Sequence, residues 1–399
     1  MLVRGQFHTT YCTNVHPGPD WATTFRSLET HLDPIRKAVA PDRPFGLGLR
    51  LSDRASRELG EGDRLDRFRD WLQEHQTYVF TMNGFPFGNF HGQPVKSQVH
   101  HPDWTTPERK EYTLRLFRQL GRLLPEGLEG GISTSPVSYK YWHAEGPARE
   151  AALRHGARAM AEVALELART EERTGKYMHL DIEPEPDGLL ENSTDVLRFF
   201  EEFLLPEGVA LLGSQLGIDP PAARERVLRH LTLCYDICHF ALAFESPQEV
   251  FPRLEQAGIR TGKIQVSAAL RIKPDNGNRE AVLEALKAFD EPVYLHQVTA
   301  RTAQGVRTWS DLPELLKDPG GFGELRAHFH VPVFTAGYGL LGATQQEILE
   351  VLEYLKRHPV CQHLEVETYT WEVLPPGLKE DLAASISREL SWLQKNLET

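Results

Sequence analysis

The chain has 399 residues, of which 40% are hydrophobic and 25% charged, so it has the composition of a globular protein with ample material for a core. Its formal net charge of -12, without a basic stripe, argues against nucleic acid and anionic lipid as partners. The first residues lack an apolar signal core and no run approaches the roughly 20 apolar residues that span a bilayer, so we expect a cytoplasmic protein without membrane insertion.

Short apolar or alternating segments recur between longer amphipathic stretches. Ten of them are predicted strands: Gln6 to Cys12, Phe45 to Leu51, Tyr78 to Asn83, Gly131 to Ser135, Tyr177 to Glu183, Thr232 to Cys238, Lys263 to Ala268, Val293 to Val298, Ala327 to Phe334 and His363 to Tyr369. Helices are predicted between them at Trp21 to Val39, Arg64 to Glu74, Pro107 to Leu123, Pro147 to Thr174, Thr194 to Leu205, Thr344 to Arg357 and Lys379 to Leu397. Ser193 is the expected N-cap of the fifth helix.

The βα alternation persists over residues 1–399 without a composition break, which favours a single α/β domain, a (β/α)8 TIM barrel. Ten strands exceed the eight of a closed barrel, so we expect an insertion between Val293 and Phe334. No GxGxxG opens a helix after a strand and no Walker motif occurs, which argues against a nucleotide site. Four scattered cysteines indicate reduced thiols rather than a disulfide framework.

Acidic and histidine side chains concentrate at the predicted strand ends of the second half. HLDIEPEP places His179, Asp181 and Glu183 on one face of strand five, because side chains alternate with a period of two. LCYDICHF brings Asp236 and His239 to the end of strand six. The carboxyl ends of barrel strands share one mouth, so we expect these side chains to converge there.

The last segments add further candidates, which are His296 and Gln297 in YLHQV, His328 and His330 in HFHVPVF, and Glu365 and Glu367 in LEVETYTW. Carboxylates converging on a buried mouth need compensation, and a divalent cation supplies it. Oxygen and imidazole ligands suit manganese, magnesium, cobalt or zinc alike.

Each of these features also has a structural interpretation. A glutamate on a strand could equally pair with a lysine or arginine, and a single DxxH could be a structural aspartate beside an unrelated histidine. Cys234 and Cys238 are expected to pack as small hydrophobic residues. The joint occurrence of the motifs in successive barrel units favours a functional site.

Aromatic, amide and hydroxyl groups end the strands of the first half, in TMNGFPFGNFHG and STSPVSYKYW among others. Such a mixture packs on and hydrogen-bonds a small polar ligand, although the same residues could also pack loops. We expect ligand contacts from Asn83, Phe85, His91 and Lys140.

Long motifs run through nearly the whole chain: HTTYCTNVHPG, FGLGLRLS, TMNGFPFGNFHG, LCYDICHF, KIQVSAAL, YLHQV, HFHVPVF and LEVETYTW. In this order they resemble the metabolite traffic protein EboE family, named for the Ebo gene cluster. That family is similar to the xylose isomerase-like TIM barrels, a superfamily of sugar isomerases, epimerases and endonuclease IV-type enzymes. The resemblance implies this fold and a role in moving or processing a secondary-metabolite precursor, with other Ebo cluster proteins as partners.

The resemblance also implies a metal site. Epimerase-like members hold a divalent metal with a Glu after strand five, an Asp after strand six, a His after strand seven and a Glu after strand eight, which carries over to Glu183, Asp236 and Glu367. It further implies Glu183 and Glu367 as the catalytic pair that exchanges a proton with substrate carbon. His239 would be the substrate-side partner of Asp236.

The fourth ligand departs from the family pattern. By strand count KIQVSAAL is strand seven and offers Gln265 or Ser267, whereas His296 and His330 belong to the extra segments. We favour His330, because HFHVPVF has the HxH shape of the superfamily's seventh strand, and Gln265 and His296 are then expected as substrate contacts.

Three functions follow from these expectations. The first is metal-dependent isomerisation or epimerisation of a small polar metabolite, because a metal next to a carbonyl stabilises an enediolate. The second is a non-catalytic metabolite carrier or scaffold. The third is phosphodiester hydrolysis of the endonuclease IV kind, against which the acidic charge of the chain argues.

Overall fold

The computed structural model describes residues 1–89, 95–274, 277–320, 322–372 and 381–399. Within these residues, eight short buried strands pair in parallel and in chain order: β1 (Phe7–Tyr11), β2 (Phe45–Arg50), β3 (Thr77–Asn83), β4 (Gly130–Thr134), β5 (Met178–Ile182), β6 (Leu231–Asp236), β7 (Thr261–Val266) and β8 (His363–Val366). β8 pairs with β1, and Cys12, directly after β1, bridges Gly48 of β2 in parallel. The sheet thus closes on itself, which confirms the predicted (β/α)8 barrel. The two-residue strand Leu2–Val3 pairs antiparallel with β1.

Helices surround the barrel, and most of them follow a strand. Those at Trp21–Val39, Arg64–Glu74, Pro107–Leu123 and Pro147–Thr174 begin and end at the predicted residues. The first shows why, since the Asp20 carboxylate accepts the backbone N–H of Thr23 as an N-cap and an apolar stripe faces the core. The other helices are Asp53–Leu59, Ser193–Phe199, Leu205–Leu216, Pro220–His230, Ile237–Leu242, Pro247–Gln256, Arg279–Lys287, Leu312–Lys317, Gln345–Arg357 and Leu382–Glu398.

Short helical turns complete these elements. Thr13–Val15, Lys96–His100, Lys140–Trp142 and Thr370–Glu372 are 3-10 turns, and Phe200–Leu204 is a π turn that joins two α-helices. The expected N-cap Ser193 is wrong: Asn192 caps this helix, because its side chain accepts the N–H groups of Thr194 and Asp195. No helix among the described residues has both the length and the apolar character needed to cross a bilayer.

The predicted insertion is confirmed and follows β7. Its strands Leu270–Ile272, Val298–Thr302, Gly305–Trp309, Leu325–Ala327, Gly337–Tyr338 and Leu341–Ala343 form a second, antiparallel sheet. Ala269 and Thr344 exchange hydrogen bonds of 2.8 and 2.9 Å, so the chain leaves the barrel and returns to it at one place.

Two of the ten predicted strands are wrong as drawn, and both lie in this insertion. The strand expected at Val293 to Val298 begins only at Val298, and the one expected to reach Phe334 ends at Ala327. The segment after Ala327 instead turns across the mouth of the barrel, where Val331 N–H bonds the carbonyl of Ala268. Pro332 has no N–H to donate to a ladder, which disfavours a strand there.

Strands β5 and β8 carry the same series of inward-facing side chains, which is a histidine, then an aspartate or glutamate, then a glutamate. In β5 and the residue after it these are His179, Asp181 and Glu183, and in β8 and the residue after it His363, Glu365 and Glu367, all of them buried. Large polar side chains therefore fill the barrel in three layers.

Glycines on neighbouring strands make room for these side chains. A Cβ on Gly48 would lie 1.8 Å from Oε1 of Glu365, and a Cβ on Gly262 would lie 2.0 Å from Oδ1 of Asp181. Residues without a side chain are therefore required at both positions. In the middle layer Lys263 forms a buried ion pair with Glu365.

Candidate metal centre

Three carboxylates meet at the C-terminal mouth of the barrel. Glu183 directly follows β5, Asp236 ends β6 and Glu367 directly follows β8, and one oxygen from each lies within 4.8 Å of the others. The backbone holds them there, because the N–H of Glu183 bonds Thr134 and the N–H of Glu367 bonds Val266. We call these three residues the carboxylate cluster.

The carboxylate cluster is short of positive charge. Burial raises the pKa of Glu183 well above its usual range, and the nearby Glu367 and Asp236 raise it further. Burial likewise raises the pKa of Glu367, followed by Asp236 and Glu365. Among the described residues, Oε2 of Glu183 and Oδ2 of Asp236 have no hydrogen-bond partner. Buried carboxylates in this state require protons or a cation.

Two side-chain amides orient Glu367, directly after β8. Nδ2 of Asn14 and Nδ2 of Asn83 each donate to Oε1 of Glu367 at 2.7 Å. Both donors favour the ionised form of this carboxylate, and they leave Oε2 to face the mouth. Asn83 therefore lies in the site, as a partner of Glu367.

Three histidines converge beside the carboxylates, and we call them the histidine cluster. Nδ1 of His239 lies 2.8 Å from the carbonyl of Pro184, Nδ1 of His330 lies 2.9 Å from that of Glu367, and Nδ1 of His328 lies 2.7 Å from Oε1 of Gln297. These oxygens can only accept, so each Nδ1 carries the proton. In its neutral form each ring then has a lone pair on Nε2.

The lone pairs of the histidine cluster face one another. Nε2 of His328 is 3.1 Å from Nε2 of His239 and 3.3 Å from Nε2 of His330. Burial lowers the pKa of His328 well below its ordinary value and that of His330 to about 4, so these two rings are neutral. Nitrogens bound tetrahedrally to one zinc ion at 2.0 to 2.1 Å lie about 3.3 Å apart. Each of the two Nε2 spacings at His328 therefore fits a pair of nitrogens on one cation.

The two clusters adjoin at His330. Its Nε2 lies 4.0 Å from Oδ2 of Asp236 and its Nδ1 lies 3.4 Å from Oε2 of Glu367. Asp236, His239 and His330 also offer ligand atoms within 4.8 Å of one another. Sequence reasoning left His328 as a core or supporting histidine, although the HxH spacing it shares with His330 was the available signal.

Glu183, Glu367 and the histidine cluster line one cleft at the mouth of the barrel. Its walls are partly apolar, with Phe85, Val95, Tyr294 and Tyr369 among them. Polar groups on the rim include Gln297 and a His100–Glu185 pair at 2.8 Å. A small ligand with both apolar faces and hydroxyl groups fits such a lining.

Other predicted site residues lie elsewhere. Lys140 pairs with Asp187 at 3.0 Å and Glu191 at 2.7 Å, and it is not among the described residues that line the cleft. His91 lies outside the described residues.

The two alternatives to His330 also have other partners. Both nitrogens of His296 are engaged, by Glu291 at 2.7 Å and by the carbonyl of His328 at 2.8 Å. Gln265 accepts from the thiol of Cys234 at 3.1 Å inside the barrel, below the cleft. Ser267, two residues further on, donates to Oδ1 of Asp236 at 2.7 Å and so positions that carboxylate.

Comparison with known proteins finds likenesses of structure. No protein-family model and no curated protein matches the chain. A D-tagatose 3-epimerase-like protein is similar at 11% identity and a TM-score of 0.49, over 98% of this chain and 97% of that one. A xylose isomerase-like TIM barrel protein from Mycobacterium smegmatis, in complex with magnesium, is similar at 10% identity and a TM-score of 0.48, over 100% and 99%. The IOLI protein with a bound zinc atom is similar at 12% identity and a TM-score of 0.46, over 98% of each chain.

Proposed function

We propose that this protein is a metal-dependent isomerase or epimerase that acts on a small polar metabolite at the mouth of its barrel. The observation that carries the proposal is the meeting of Glu183, Asp236 and Glu367, buried and with too little positive charge around them. A divalent cation would neutralise these groups, and their oxygen donors suit one.

The ligands we assign to this ion are Glu183, Asp236 and Glu367, with His330, whose Nε2 lies 4.0 Å from Oδ2 of Asp236, as the imidazole ligand. Bound there, the ion would polarise oxygens of the substrate and supply positive charge for a developing enediolate. The donor set accommodates manganese, magnesium, cobalt or zinc.

The residues of the chain would move the proton. In an isomerisation or epimerisation, one carboxylate removes a proton from the carbon beside a carbonyl and a carboxylic acid returns one to the same or the adjacent carbon. We assign these roles to Glu183 and Glu367, which directly follow β5 and β8 at the mouth.

Other residues would position the substrate. Asn83 holds Glu367, Phe85 offers an apolar face in the cleft, and His239 lines the cleft with its Nε2 next to that of His328. Contacts from Lys140, His296, Gln265 and His91 stay predictions from the sequence.

Proton exchange tests this function directly. The full chain, loaded with Mn²⁺, is incubated in D₂O with a panel of aldoses and ketoses, and deuterium incorporation next to the carbonyl is followed by NMR. We expect exchange with at least one sugar, and its loss in Glu183→Gln and in Glu367→Gln. Glu202→Gln, on an exposed helix face, is the matched control. Unchanged exchange in both site variants would refute the assigned roles, and a bound sugar recovered without deuterium would favour a carrier.

A second candidate is phosphodiester hydrolysis, and the histidine cluster favours it. Three converging imidazoles beside three carboxylates supply ligands for more than one ion, as two-metal hydrolysis requires. Hydrolysis of bis-p-nitrophenyl phosphate that is lost in His328→Gln would support this candidate over isomerisation. One ion in the mouth per chain by elemental analysis would argue against it.

The finer assignment follows the sequence resemblance. We propose membership of the EboE family, and with it a cytoplasmic role in secondary-metabolite precursor traffic beside other Ebo cluster proteins. The HTTYCTNVHPG and LEVETYTW motifs support this assignment. Co-purified metabolites, identified by mass spectrometry after denaturation of the protein, would test it.

A further inference from the structure

A third group of potential ligands lies at the opposite end of the barrel from the mouth. His179 and His363 stand four residues before Glu183 and Glu367 on β5 and β8, a separation of about 13 Å at strand rise. Glu129 directly precedes β4 at the same N-terminal end. One ligand atom from each of Glu129, His179 and His363 lies within 4.8 Å of the others.

His179 is oriented as a metal-binding histidine is. Its Nδ1 lies 2.5 Å from Oδ1 of Asp181, which also accepts the hydroxyl of Thr232. The aspartate therefore holds the proton on Nδ1 and leaves a lone pair on Nε2. That Nε2 is buried and has no hydrogen-bond partner among the described residues. A carboxylate on the far nitrogen is the usual support of a histidine ligand.

His363 brings a second unpartnered imidazole to the same place. Its ring is fully buried and stacks on His179, with centroids 5.5 Å apart and planes 29° apart. Within the described part of the chain neither of its nitrogens makes a hydrogen bond, and its contact with the backbone of Glu129 falls short of hydrogen-bond geometry. Burial lowers the pKa of His363 well below its ordinary value, so the ring is neutral and offers a lone pair.

Glu129 connects these imidazoles to solvent. Its side chain is 18% exposed, and its only charged neighbour within 4 Å in the described residues is Arg260, at 3.7 Å. Within the described residues, no shorter ion pair holds the Glu129 carboxylate away from the two imidazoles. A cation reaching the N-terminal face would meet this carboxylate first.

We propose that Glu129, His179 and His363 bind a divalent cation at the N-terminal end of the barrel, with zinc or cobalt as the fitting ions. Two imidazoles and one carboxylate form a ligand set that zinc adopts, with water in the fourth position. The three ligands come from the start of β4, β5 and β8, so the ion would tie together strands from both halves of the barrel. Its role is structural, and it does not depend on the function proposed for the mouth.

Without a cation, Nε2 of His179 and both ring nitrogens of His363 have no hydrogen-bond partner among the described residues. Each buried polar group without a partner destabilises the folded state. An ion that binds only the folded chain removes this deficit and raises the melting temperature with its concentration.

Zinc titration of the full chain tests the proposal. The background is the Glu183→Gln/Glu367→Gln/His328→Gln/His330→Gln variant, in which the carboxylate cluster loses two of its charges and the histidine cluster loses two of its three imidazoles. We expect this background to retain a zinc site, observed as a zinc-dependent rise in melting temperature and, with Co²⁺, as ligand-field absorption bands of an imidazole-ligated ion. Adding Glu129→Gln should weaken zinc binding at least tenfold, whereas Glu126→Gln, an exposed residue of the same loop, should leave it unchanged.

His363→Gln provides the second variant and should abolish the cobalt bands. If His363→Gln fails to fold, Glu129→Gln tests the proposal by itself, because the side chain of Glu129 is partly exposed. Zinc affinity that is equal in the background, in Glu129→Gln and in His363→Gln would overturn the proposal. So would a background that binds no zinc while the parent chain binds it at the mouth, and that result would leave the proposed function standing.

Discussion

Glu389 offers a quantitative test of how the mouth is held together. This residue of the C-terminal helix Leu382–Glu398 is 1% exposed. Its Oε1 accepts the hydroxyl of Thr368 at 2.7 Å and the N–H of Val333 at 3.1 Å. Thr368 follows Glu367 and Val333 lies three residues after His330, so a single carboxyl group links the two segments that carry these site residues.

Burial raises the pKa of Glu389 from 4.5 to about 8. The folded chain therefore binds a proton that the unfolded chain releases between these two values. Binding of this proton stabilises the folded state fully below pH 4.5, and the stabilisation is lost as the pH rises through about 8. The difference corresponds to at most about 5 kcal/mol in the free energy of unfolding. Glu389→Gln keeps an acceptor in the same place and cannot ionise.

Urea denaturation of the metal-free chain and of Glu389→Gln, from pH 5 to pH 9, measures this effect. We expect the free energies of unfolding of the two proteins to be nearly equal at pH 5. At pH 9 we expect Glu389→Gln to be more stable than the parent chain by several kcal/mol. Other titrating groups cancel in the difference because both chains contain them. Glu389→Leu, which removes the acceptor, should destabilise at every pH. A difference between Glu389→Gln and the parent that does not change with pH would refute the reasoning.

Three further predictions concern the barrel interior. Asn83→Ala removes a donor from Glu367, so metal affinity at the mouth, measured by calorimetry, should fall by about 10- to 100-fold; an unchanged affinity would show that Glu367 needs no orienting group. Gly48→Ala places a Cβ 1.8 Å from Oε1 of Glu365, so we expect the melting temperature to fall by several degrees. An unchanged melting temperature would contradict this prediction. Lys263→Met leaves Glu365 buried without its partner and should destabilise by about 3 to 5 kcal/mol in urea, whereas a neutral effect would mean that Glu365 is protonated.

The barrel could be predicted from sequence because its periodic signals are local. His179 and Asp181 of β5 and Glu183 directly after it show their shared face through the period of two, and four helices begin and end at the predicted residues. The segment after Ala327 could not be predicted in this way. HFHVPVF alternates like a strand, but Nδ1 of His330 bonds the carbonyl of Glu367 and Nδ1 of His328 bonds Oε1 of Gln297, and only the folded chain brings those two oxygens near.

Long-range pairing also explains what sequence reasoning left open at the site. The structure places Glu183, Asp236 and Glu367 together, and their binding of an ion stays a prediction. His328 joins the histidine cluster because Gln297, 31 residues earlier, holds its Nδ1. Such partners are fixed by tertiary packing, which no local pattern encodes.

Anomalous scattering from crystals of the full chain soaked in Mn²⁺ tests the central claim most directly. The account predicts an anomalous peak at the mouth with oxygens of Glu183, Asp236 and Glu367 about 2.0 to 2.3 Å from it. Well-ordered carboxylates without a peak between them, at saturating manganese and again at saturating zinc, would contradict it.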